Sequence, residues 1–202
     1  MAGLKGEMHE AVLDFEALAE DTYDKALSGD AGGVHAAAAS IQSRWKKLRK
    51  TVVRAGLKEA SARALDRSVA RLVSLSASAA DTLQLARAAN AVTDTMDDIF
   101  ALYHPKAPPE LMTLDFLGRE LMLDARTPDL HAGAAHRKDL QSEWAGVRPK
   151  VIKAGGEKEA TGMDDTLAAA DRAIAQGDQA ELEKQAQSEL ELVDAIEHKL
   201  RW

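Results

Sequence analysis

Apolar positions along this chain recur at alternating steps of four and three. Val34, Ala38, Ile41, Trp45, Leu48, Val52 and Ala55 follow one another without a miss. Leu85, Ala89, Val92, Met96, Ile99 and Tyr103 do the same, and shorter rows run through Leu4, Met8, Ala11, Phe15 and Leu18 and through Ala62, Leu65, Val69 and Leu72. A mean step of about 3.5 residues keeps one face of a helix turned toward its neighbours in a left-handed bundle. Between the rows stand Ser28-Gly29-Asp30, Gly56, the stretch from Ala79 to Asp81, Thr127-Pro128-Asp129, Gly155-Gly156 and Gly177-Asp178. These supply the glycine stops and aspartate starts that separate antiparallel helices. The pattern predicts an all-α fold of about eight helices, four in each half.

The halves are copies of one another. Gln42-Ser43-Arg44-Trp45 returns as Gln141-Ser142-Glu143-Trp144. Arg49, Val52, Val53, Arg54, Ala55 and Gly56 return as Arg148, Val151, Ile152, Lys153, Ala154 and Gly155 at the same offset of 99. Asp81, Leu85, Arg87, Ala89, Asp94, Asp97 and Ile99 match Asp178, Leu182, Lys184, Ala186, Glu191, Asp194 and Ile196 at an offset of 97. A repeated unit of this size predicts tandem four-helix bundles, residues 1–104 and 110–202. The stretch His104-Pro105-Lys106-Ala107-Pro108-Pro109 holds three of the five prolines, so residues 105–109 read as a stiff linker. In the helix after it, Leu111, Met112, Leu114, Phe116, Leu117, Leu121, Met122 and Leu123 cover nearly every face. Such a helix is buried on all sides. It is expected to be the most buried helix, to join the two units or a second copy of the chain as a homodimer, and to hold Arg119 and Glu120 in ion pairs.

Composition narrows the function. Net charge is -7 and the sequence pI about 5.4, which argues against general binding to nucleic acid or anionic membranes. The absence of cysteine excludes disulfides, thiolate metal sites and a thiol nucleophile. No apolar run reaches the ~20 residues of a membrane span, and the start carries no signal-like core. An exported, periplasmic protein whose leader has been removed is expected, in slight preference to a cytoplasmic one.

Several groups carry candidate chemistry. Glu20 and Asp24 in the first helix repeat as Glu120 and Asp124 in the fifth, and Asp94 and Asp97 repeat as Glu191 and Asp194. Brought together on neighbouring helices, such acids hold a hard cation. Their places outside the apolar rows instead predict solvated faces. A di-iron centre needs Glu-x-x-His on two helices, and the chain contains none. His35 and His136 lack the Lys-Gly that follows the histidine of phosphotransfer bundles.

Met8 lies near the start of the first helix and His104 at the end of the fourth. A methionine and a histidine so placed resemble the axial ligands of soluble b-type four-helix-bundle cytochromes. The resemblance covers the first half only and implies a haem carrier, with thioether and imidazole as ligands. Met112 and His198 in the second half do not align with that pair.

The basic run Arg44, Lys46, Lys47, Arg49, Lys50, Arg54 and Lys58 is the sharpest local charge asymmetry. It reads as a contact patch for an acidic partner, or as cations paired with the acidic faces of the first and fourth helices and favoured near a helix C-terminus. The pairing is the expectation. Trp45 and Trp144 are expected in the two cores, and Pro149, in place of Lys50, should kink its helix. No nucleophile–base pair or phosphate-binding glycine loop appears. The sequence therefore predicts a non-enzymatic binding or interaction protein with no cofactor. A carrier of haem or a divalent metal is the alternative.

Overall fold

The computed structural model describes residues 2–103, 110–127 and 130–200, with the side chains of 2–9, 103 and 131 outside that description. The elements are α1 (Ala2–Leu27), α2 (Ala31–Ala55), α3 (Glu59–Ser76), α4 (Thr82–Asp94), α5 (Asp97–Tyr103), α6 (Glu110–Ala125), α7 (His131–Lys153), α8 (Glu157–Gln176) and α9 (Gln179–Leu200). No strand occurs among the described residues. The chain divides into two compact units, Met1–His104 and Pro105–Trp202. In the first, each of α1 to α4 packs on the next and α1 closes the ring against α4; in the second, α6 to α9 do the same with α6 against α9. The Pro-rich linker lies outside the described residues.

Local signals place the ends. Asp30 accepts the Gly33 amide at 2.8 Å, Asp178 accepts that of Glu181 at 3.0 Å, and Asp81 forms a reciprocal capping box with Gln84. Gly56 and Gly155 end the second helix of each unit at φ of 121° and 79°, a backbone region that a Cβ disfavours. The duplication thus extends to its turns.

The single predicted fourth helix is broken between Asp94 and Asp97. The Thr93 hydroxyl donates to the Asn90 carbonyl at 2.6 Å and that of Thr95 to the Val92 carbonyl at 2.9 Å. Side-chain bonds of this kind compete with the helical ladder. Asp97 and Asp98 then favour a new helix start, where acids meet the positive end of the dipole. The apolar row survives the break, since Met96, Ile99 and Phe100 are all buried.

Three of the four rows hold with small changes. Every named position of α3 is buried, and in α2 Leu48 is half-buried and Ala55 exposed. The α1 row is displaced. Val12, Phe15, Ala19, Thr22, Tyr23 and Ala26 are buried, whereas Ala11 and Leu18 are only partly so. Thr22 carries its hydroxyl inside by donating to the Leu18 carbonyl at 2.6 Å, which hides a core position from a purely apolar reading.

α6 is buried as its composition demands: Leu111, Leu114, Leu117, Leu121, Met122 and Leu123 are enclosed, and only Met112 and Phe116 among its large apolar side chains are half-buried. Its packing partners are α7 and α9 of its own unit. α7 continues through Pro149, which is exposed.

Candidate functional site

The two units share one device, a buried indole bonded to a half-exposed carboxylate–arginine pair. In the first, the Trp45 indole donates to Asp66 at 2.7 Å, and Arg49 Nε donates to both oxygens of that carboxylate at 3.0 and 2.9 Å. In the second, Trp144 donates to Asp164 at 2.8 Å and Arg148 Nε to the same group at 3.1 and 2.9 Å. A buried indole N–H needs an acceptor, and the arginine neutralises the carboxylate that supplies it. Bonds from Arg148 and then from Trp144 hold the Asp164 carboxyl below the usual carboxylate range, against partial burial. Sequence comparison found the repeated Trp and Arg but not the acids. Asp66 and Asp164 stand at an offset of 98, between the two offsets that match most residues. Replacing Asp164 by Ala should cost about 1–3 kcal/mol by leaving the indole unsatisfied, and Asp66→Ala should do the same in the first unit. Urea unfolding of each variant measures it; no change in either would mean that water replaces the carboxylate.

Beyond the latch the cores differ. Leu182, Ala186, Glu189, Val193 and Ile196 repeat the row Leu85, Ala89, Val92, Met96 and Ile99, so Glu189 replaces Val92 on a core line. Its side chain is completely enclosed, and neither carboxyl oxygen has a hydrogen-bond partner. Burial raises its pKa well above the usual range; the Asp115 and Asp194 charges add to this and that of Arg119 opposes it. Gly118 on α6 makes the space, since a Cβ there would overlap the Glu189 carboxyl.

The predicted acids do not behave as one set. Asp24, Asp94, Glu191 and Asp194 are exposed as solvated faces, and Glu20 and Asp97 are half-buried. Asp94 is nonetheless crowded enough for desolvation to raise its carboxyl pKa. Its replacement by Ala should change stability by no more than about 0.5 kcal/mol, as thermal melting would show. Glu120 and Asp124 correct the expectation of a solvated face: they are buried at 6% and 0% exposure. A helix buried over most of its surface carries these acids inward with it. His136 meets Asp124 at 2.6 Å, and Arg119 is paired with Asp115 at 2.9 Å. No group of three or more His, Asp or Glu suited to a metal ion is gathered among the described residues. Of the haem-ligand pair, His104 and the side chain of Met8 lie outside the described residues.

The basic run departs most from expectation. Arg44 approaches Asp14 of α1 at 4.0 Å, but Arg49 turns to α3, pairing with Glu59 at 2.5 Å and Asp66 at 2.9 Å. Lys46, Lys47, Lys50, Arg54 and Lys58 are exposed and form no ion pair among the described residues. On the adjacent α3, Arg63, Arg67 and Arg71 stand four apart on the exposed side, and only Arg63 is engaged, with the Glu59 carbonyl at 3.4 Å. Residues 44–71 carry ten Lys or Arg against two acids, Glu59 and Asp66, whereas the matching stretch 143–169 carries four against five. The reason is compositional: α2 contains no acidic residue.

No helix among the described residues is long and apolar enough to cross a membrane. No protein-family model, curated protein or solved structure matches the chain.

Proposed function

We propose that this chain is a non-enzymatic interaction protein built from two copies of one helical scaffold. The supporting observation is the contrast between inside and outside. Both units retain the Trp–Asp–Arg latch with near-identical distances, while the outer faces of their second and third helices differ sharply in charge. Keeping the latch and changing the surface gives two supports with different recognition properties, since exposed charges can be exchanged at little cost in stability. A homodimer through residues 110–125 is part of this reading and is tested by the mass of the chain in solution. An exported location belongs to the same reading and is tested by fractionating cells that make the full-length gene product.

The alternative, a haem or divalent-metal carrier, is separated by two measurements on the purified chain. The interaction reading expects no Soret band after expression with haem supplied and no metal near one equivalent by elemental analysis. A Soret band lost in Met8→Ala or His104→Ala would replace it with a haem carrier. Stoichiometric metal would replace it with a metal carrier.

A further inference from the structure

We propose that the exposed α2–α3 face of the first unit is a docking surface for an acidic protein segment. This rests on the interaction reading above and names the partner's chemistry. Lys46, Lys47, Lys50, Arg54, Lys58, Arg67 and Arg71 are exposed cations with no ion pair among the described residues. Cations crowded on one face repel each other, and an anionic partner relieves that repulsion as it binds. The two acids of the face are already engaged by Arg49, so they do not neutralise it.

The size of the face selects a short partner. From Lys46 to Arg54, both within α2, the helix advances about 12 Å, the reach of about four extended residues. Lysines are three of the four α2 cations without an ion pair among the described residues, and the ammonium is a mobile point charge that meets carboxylates without a fixed geometry. The face lacks what the other polyanions use. Its one aromatic residue, Trp45, is buried, so no ring is offered to stack on bases. No large apolar side chain of α2 or α3 is exposed to enter a lipid interface. The chain's net charge of -7 also repels an extended polyanion beyond the immediate contact, within a Debye length of about 8 Å.

The test uses the full chain and a fluorescein-labelled hexaglutamate peptide, followed by anisotropy at about 0.02 and 0.3 M salt. Binding should be present at low salt, weaken at high salt, and fall about tenfold or more in Lys46→Glu/Lys50→Glu/Arg67→Glu. The same charge change placed in the second unit, Lys138→Glu/Lys153→Glu/Lys158→Glu, should leave most of the affinity. Helicity by circular dichroism confirms that both variants fold. Equal loss in the two variants, or no binding by the unmodified chain, would overturn the proposal. So would a single-stranded oligonucleotide or a phosphatidylserine vesicle bound more tightly than the peptide through the same three residues. Peptide failure without haem or metal removes only the acidic partner, whereas haem or metal loading removes the interaction reading itself.

Discussion

Trp144→Ala is expected to destabilise the second unit by about 3–5 kcal/mol. The side chain is completely enclosed, so truncation leaves a cavity that the surrounding helices fill only in part. It also deprives Asp164 of the indole donor at 2.8 Å, although Arg148 continues to hold that carboxylate. Trp45→Ala should cost a similar amount in the first unit, where the indole also packs on Phe15 at a ring separation of 6.2 Å. Urea unfolding followed by circular dichroism measures both. Because Trp144 and Asp164 touch, the double variant should cost less than the two single changes added together. A loss below about 1 kcal/mol for Trp144→Ala would mean that the tryptophan is peripheral to the core.

The scaffold was legible because its signals are redundant. Apolar rows, glycine ends and aspartate starts all pointed to the same helices, and the copy repeated them. What escaped were places where a polar residue occupies a core position. Thr22 shifted the α1 row because its hydroxyl is satisfied by the helix itself. Thr93 and Thr95 broke the fourth helix while the apolar row ran on unchanged. Glu189 sits in a row whose other members are all apolar, and it escaped because Val92 was not carried across at the offset of 97 that places the two together. The basic run was recognised, but of its expected pairings only that of Arg44 with Asp14 of α1 is present among the described residues. Pairing depends on which neighbour each cation faces, and Arg49 faces α3 rather than α1 or α4.

Glu189→Gln should therefore be the most informative single change in the second unit. A carboxyl with no hydrogen-bond partner and no exposure is costly to ionise, which is why its pKa lies well above the usual range. In the unfolded chain a glutamate titrates near 4.3. The folded state thus holds this proton more tightly. The stability it contributes is complete below about pH 4.3 and is lost as pH rises toward the raised folded value. Glutamine resembles the protonated acid in shape and polarity, so the variant should match the parent at low pH and exceed it increasingly as pH rises. The same difference excludes carboxyls held low in the fold, such as Asp164 and Glu110, because they are common to both proteins. Gly118→Ala tests the space rather than the charge. Alanine favours a helix over glycine by about 1 kcal/mol, yet its methyl would overlap the Glu189 carboxyl and meet Leu190. A net loss of about 1–3 kcal/mol is expected from such overpacking. Adding Glu189→Val, the side chain that the first unit carries at Val92, should recover most of it. Chemical denaturation across pH would show an opening gap for Glu189→Gln and rescue in the double variant. A gap that stays constant with pH would mean that Glu189 binds its proton no more tightly in the fold than in the unfolded chain. One that closes as pH rises would mean that it is charged and partnered.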